Sequence, residues 1–150
     1  MTKIMVFCIG NRDGGDDAIG PYIADQLNKH KNHGIDVVDC GTNPENYTSL
    51  VKQKKPHVLL IIDAVDMNLK PGEVRIVPKE KISTMHICTH GIPLPILITY
   101  LESWVQKILL IGIQPKTYIG SLTAPVKKSG EYVITLIEQK KIDTLHHLPE

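Results

Sequence analysis

Three short, nearly unbroken apolar runs constrain the fold of this 150-residue chain more than any other feature of its sequence. They cover residues 3–9, 57–63 and 107–113, and each is rich in β-forming residues. Such a run, without polar alternation, is typical of a parallel strand that is buried on both faces. Residues 73–78 instead alternate polar and apolar side chains, which favours a half-exposed edge strand that we expect to be antiparallel.

Between these runs, apolar residues recur at the three- and four-residue spacing of amphipathic helices. The predicted helices cover residues 19–29, 45–54, 93–106 and 126–140, and a further short strand is predicted over residues 35–39. This alternation predicts an α/β fold, a three-layer α/β/α sandwich with a central, mostly parallel five-stranded sheet and one antiparallel edge strand. The length favours a single domain over residues 1–150. His146 and His147 are expected in a C-terminal tail.

Composition excludes several classes of function. Seventeen Lys and Arg residues against sixteen Asp and Glu give a formal net charge of +1, which does not indicate a nucleic-acid partner. No segment approaches the roughly 20 apolar residues that span a bilayer, so no membrane partner is expected. Cys8, Cys40 and Cys88 form no C-x-x-C pair and are interpreted as small buried hydrophobic residues. These features favour a cytoplasmic protein.

Acidic residues gather where the predicted parallel strands end, and this is the edge of an open α/β sheet where ligands bind. Asp13, Asp16 and Asp17 follow the first strand, while Asp39 and Asp63 each close another. Asp16 and Asp17 could instead cap the following helix, and an aspartate at a strand end is often a turn residue. Carboxylates that converge raise each other's proton affinity, so a cluster of them favours a cation or a shared proton.

His90 is the candidate nitrogen ligand for such a cluster. It precedes a predicted helix with Pro93 in its first turn, where the helix dipole favours the neutral imidazole that binds metals. A helix-capping or surface role is the alternative. Carboxylates with one imidazole suit a borderline divalent ion such as nickel, zinc, manganese or iron. The glycine spacing after the first strand does not match a nucleotide-binding loop.

Taken together, four motifs resemble the hydrogenase maturation endopeptidase family. They are Gly10-Asn11, Gly15-Asp16-Asp17-Ala18-Ile19-Gly20, Asp63-Ala64-Val65-Asp66 and Thr89-His90. Residues 70–73 and 112–115 look like the branch that serves formate-hydrogenlyase-type hydrogenases. The resemblance implies an endopeptidase that removes the C-terminal extension from the large-subunit precursor of an [NiFe] hydrogenase.

The resemblance also implies a set of site residues. Asp17, Asp63 and His90 would contact nickel in an exposed cleft, and Asp39 matches a further acid beside that cleft. The nickel would be carried by the precursor and would not be a permanent cofactor. The protein is expected to act as a monomer. A non-catalytic, nickel-sensing assembly factor or metallochaperone remains the alternative. Arg12 and Asp13 depart from the family pattern, which is usually apolar at these positions.

Overall fold

A computed structural model describes residues 2–30, 34–82 and 91–149, and in these residues five strands form one sheet. The strands are β1 (Ile4–Ile9), β2 (Asp36–Gly41), β3 (Val58–Ala64), β4 (Val74–Val77) and β5 (Lys107–Ile113). Their order is β2-β1-β3-β5-β4; all neighbours are parallel except β4, which runs antiparallel to β5. The predicted mostly parallel sheet with one antiparallel edge strand is therefore confirmed.

Helices cover both faces of this sheet, which explains the unbroken apolar runs. They are α1 (Ile19–Lys29), α2 (Thr48–Lys54), α3 (Lys79–Ile82), α4 (Leu94–Leu101) and α5 (Ala124–Glu138). One core layer joins β1 and β3 to α1 and α5, while α2 and α4 contribute to the core on the other face. Cys8 and Cys40 are buried, one in each layer, as predicted; Cys88 lies outside the described residues.

Some predicted boundaries were wrong. Helix α4 ends at Leu101 rather than at residue 106, and a 3-10 turn over Pro44–Tyr47 precedes α2. The predicted C-terminal tail is part of the fold, because the Ile76 N–H donates to the His146 carbonyl and the Leu148 N–H donates to the Ile76 carbonyl, both at 2.9 Å. The C-terminal segment thus pairs with the outer edge of β4, where it hides backbone groups that an edge strand would otherwise expose.

The chain order places a topological switch point beside β1. From β1 the chain passes to β2 on one side and then to β3 on the other. The connections that leave β1 and β3 at their carboxyl ends therefore diverge and leave room for a site between them. No helix among the described residues is long and apolar enough to cross a membrane.

Candidate functional site

Asp17 lies at this switch point, in a 3-10 turn over Gly15–Ala18 that follows β1. Its side chain is buried, and Oδ2 accepts a hydrogen bond of 2.9 Å from the Asn11 N–H. A Cβ atom on Gly10 would lie only 1.9 Å from the Asp17 carbonyl oxygen, so the chain can make this close approach only with glycine. The Gly10-Asn11 pair therefore fixes where Asp17 sits.

Asp63 lies near the carboxyl end of the neighbouring strand, β3, and its side chain is fully buried. Neither carboxyl oxygen accepts a hydrogen bond of good geometry from any of the residues that the structure describes. Burial raises the pKa of Asp63 well above the ordinary 3.8, and the negative charge of Asp17 raises it further; the Ala64 N–H acts in the opposite direction. Asp63 thus favours the protonated, neutral form.

The two acids interact although they come from different strands. The 3-10 turn that carries Asp17 packs against β3, and the charge of Asp17 acts on Asp63. Their convergence agrees with the rule that the carboxyl ends of parallel strands meet at one edge. The prediction that these two acids lie in an exposed cleft was wrong, because Asp17 is 3% exposed and Asp63 is 0% exposed. The turn folds over the end of β3 and shields both carboxyl groups from water.

His90, the predicted nitrogen ligand, lies outside the described residues. Across residues 2–30, 34–82 and 91–149, no group of three or more His, Cys, Asp or Glu side chains is arranged to hold a metal ion. The assignment of Asp17, Asp63 and His90 as a ligand set therefore remains a prediction.

Asp39 lies at the same sheet edge, near the end of β2, and is held by an ion pair. Its Oδ2 is 2.5 Å from Arg12 Nη2, and its Oδ1 accepts a hydrogen bond of 3.1 Å from the Gly41 N–H. Arg12 also donates to both oxygens of Asp25 on α1, at 2.7 and 2.9 Å, which lowers the pKa of that carboxyl group. Asp39 and Arg12 line a groove of about 420 Å³ together with Tyr47.

Asp16 has a structural function that the sequence analysis missed. Its fully buried carboxylate accepts hydrogen bonds from the N–H groups of Lys116 (2.8 Å), Thr117 (3.3 Å) and Thr123 (2.7 Å), and from the Thr123 hydroxyl at 2.8 and 2.9 Å. It therefore fastens the connection between β5 and α5 to the turn that carries Asp17. Asp16 does not cap α1, because its hydrogen bonds go to the connection after β5 and the N-cap position of α1 is Ala18. No local sequence signal identifies partners about one hundred residues away.

Comparisons with known proteins agree with this fold. The sequence profile of the family described as hydrogenase maturation protease (HycI) matches residues 21–140. The chain is 36% identical over 141 residues to the hydrogenase 3 maturation protease of Escherichia coli K12, covering 92% of this chain and 90% of that protein. It is 33% identical over 147 residues to a putative hydrogenase maturation protease of Methanocaldococcus jannaschii, covering 91% and 87%. The solution structure of the endopeptidase HycI from Escherichia coli matches with a TM-score of 0.89 at 32% identity, covering 98% of this chain and 97% of that one.

Proposed function

Because this chain belongs to the hydrogenase maturation protease family and is a peptidase, we propose that it removes the C-terminal extension from the nickel-loaded large-subunit precursor of an [NiFe] hydrogenase. One observation carries the proposal: Asp63 is fully buried, accepts no hydrogen bond of good geometry from the described residues, and has a raised pKa beside Asp17. Such a carboxyl group can exchange its proton for a cation.

Nickel is proposed to enter as part of the substrate. Asp17, Asp63 and His90 would complete the coordination of an ion that the precursor's cysteines already hold. Binding would release the proton of Asp63, because a carboxylate must be deprotonated to ligate a metal. A nickel-free precursor offers no charge to compensate a buried, ionised Asp63. The difference in affinity between the two forms would restrict cleavage to loaded precursor.

The proposed reaction is hydrolysis by water. Docking holds the scissile peptide beside the buried acids, where a water polarised by a carboxylate or by the substrate's nickel attacks the carbonyl carbon. The C–N bond then breaks, the leaving amine takes up a proton, and a new carboxyl terminus remains on the large subunit. Asp39 is proposed to act beside this centre, with its carboxylate oriented by Arg12 and by the Gly41 N–H.

The test is to incubate nickel-loaded precursor with the protein and to measure the precursor's mass. We expect loss of the extension with the wild-type protein and none with nickel-free precursor. Asp17→Asn, Asp63→Asn and His90→Ala are each expected to abolish processing while the protein stays folded. Asparagine is preferred to alanine at the two acids because both are buried, so a smaller side chain would leave a cavity.

Asp13→Asn is the matched control, since Asp13 is an exposed acid in the same loop. It should process the precursor at the wild-type rate. An intact precursor mass after incubation with folded wild-type protein would refute the proposal. Near-wild-type turnover by any one of the three site variants would remove that residue from the site.

A further inference from the structure

A row of exposed apolar side chains runs along α4. Ile92, Ile96, Tyr100 and Trp104 are 42%, 58%, 43% and 37% exposed. Ile96 and Tyr100 lie four residues apart within α4, the spacing that places side chains on one face of a helix, while Ile92 precedes the helix and the Trp104 ring lies 5.0 Å from that of Tyr100, measured between centroids. We refer to these four residues as the α4 ridge. They make up most of the large apolar side chains that are exposed in the described part of the chain, so the exposure is concentrated in one place.

The opposite face of α4 is already used by the core. Leu94, Leu97, Ile98 and Leu101 are buried in the same cluster as side chains of β1, β3 and β5. The helix is therefore apolar on its outer face as well as on its inner face. A helix that is apolar all round is normally buried all round, and a contiguous exposed apolar patch marks an interaction site.

The ridge begins at the edge of the sheet where Asp17 and Asp63 lie. Gly91, next to Ile92, packs so closely on Glu45 that a Cβ atom would lie 2.2 Å from Glu45 Oε1. Glu45 belongs to the turn that directly follows the carboxyl end of β2. At about 1.5 Å per residue, the helix Leu94–Leu101 that carries the middle of the ridge is about 12 Å long. A large molecule that reaches the two acids can therefore also cover the ridge.

The charge and size of the ridge indicate what kind of partner it binds. Lys52 Nζ lies 4.8 Å from the Tyr100 ring centroid and 4.7 Å from that of Trp104, so a cation sits on the aromatic end. A two-fold pairing of this chain through the ridge would bring two copies of Lys52 into one interface. With about 200 Å² per large side chain, the exposed fractions amount to about 350 Å², well below the roughly 800 Å² per partner of a stable interface.

We propose that the α4 ridge docks the folded body of the hydrogenase large-subunit precursor, through an apolar surface bordered by acidic side chains. This inference rests on the proposed function, since it concerns the same substrate. A small apolar surface with a lysine at its aromatic end suits an enzyme that must bind its protein substrate and then release it. The ridge supplies affinity outside the reacting centre, so it should affect binding of the precursor and leave the chemical step unchanged.

The test compares kinetic constants for nickel-loaded, full-length precursor. The double variant Ile96→Ser with Tyr100→Ser, and separately Lys52→Glu, should each raise KM about tenfold and leave kcat within about twofold. Tyr132→Ser on α5 is the matched control, since Tyr132 is 51% exposed on a different helix. Its KM should stay at the wild-type value.

Two outcomes would overturn the inference while the proposed function stands. In the first, the wild-type protein cleaves the precursor, and the ridge variants have a KM no larger than that of Tyr132→Ser. The other is a wild-type dimer in light scattering that the ridge variants convert to monomers, because the occupant would then be a second copy of this chain. If the wild-type protein does not cleave the precursor, the proposed function fails. The affinity of wild-type and ridge variants for immobilised precursor still decides whether the ridge binds it.

Discussion

The buried carboxylate of Asp16 should be required for stability because three backbone N–H groups and one hydroxyl of the described residues donate hydrogen bonds to it. Oδ2 accepts from the N–H groups of Lys116 and Thr117, and Oδ1 accepts from that of Thr123. In Asp16→Asn the shape of the side chain is kept but one acceptor becomes an NH2 group. Whichever way the amide turns, that NH2 group faces at least one of the backbone N–H groups that donate to the carboxylate.

We expect Asp16→Asn to lower the free energy of unfolding by about 3 kcal/mol. A hydrogen bond to a charged group contributes about 1.5–3 kcal/mol, and a buried donor left without an acceptor costs about 1–3 kcal/mol more. Turning the amide oxygen toward Lys116 and Thr117 keeps two of the backbone hydrogen bonds and sacrifices the one from Thr123. The hydrogen bonds that remain are weaker, because the acceptor is no longer charged.

Urea denaturation gives the change in unfolding free energy, and hydrogen exchange locates it. The amides of Lys116, Thr117 and Thr123 should exchange faster in Asp16→Asn, since they lose their acceptor or its charge. Asp13→Asn, the same substitution at an exposed position of the loop, should change stability by less than about 0.5 kcal/mol. A loss below about 1 kcal/mol in Asp16→Asn, or unchanged exchange at these amides, would show that the carboxylate does not hold this connection.

Asp63→Asn should make the protein more stable than wild type as the pH rises. Because the folded-state pKa of Asp63 is raised above 3.8, the contribution of this carboxyl group to the free energy of unfolding is fully present below that pH, and it is lost as the pH rises through the folded-state pKa. Asparagine does not ionise, so the stability of the variant relative to wild type should increase between about pH 4 and about pH 7 in urea denaturation; a constant difference would contradict the raised pKa. Gly20→Ala should destabilise the protein by about 1–3 kcal/mol, because its Cβ would lie 2.1 Å from the Ile9 carbonyl oxygen. Gly14→Ala, whose nearest contacts would be 3.2–3.4 Å, is the control, and equal thermal midpoints for the two variants would refute the steric argument.

The sequence alone determined the layers of the protein and the edge at which to look for a site. Unbroken apolar runs identified β1, β3 and β5, because a strand covered on both faces has no solvent side to make polar. The carboxyl-end rule then drew attention to Asp17 and Asp63. Both inferences depend on local patterns and on a general property of parallel sheets, so they did not require knowledge of particular contacts.

Only the tertiary structure decided what each polar side chain does. Asp16 and Asp17 are adjacent and identical in type, yet Asp16 binds the connection after β5 while Asp17 faces the Asp63 side of the sheet edge. Nor did the sequence indicate that Arg12 would hold Asp39. Periodicity reports whether a residue is buried, since burial recurs with the geometry of its own helix or strand. The partner of a buried charge depends on which distant segments fold against it, and that is settled only when the whole chain has packed.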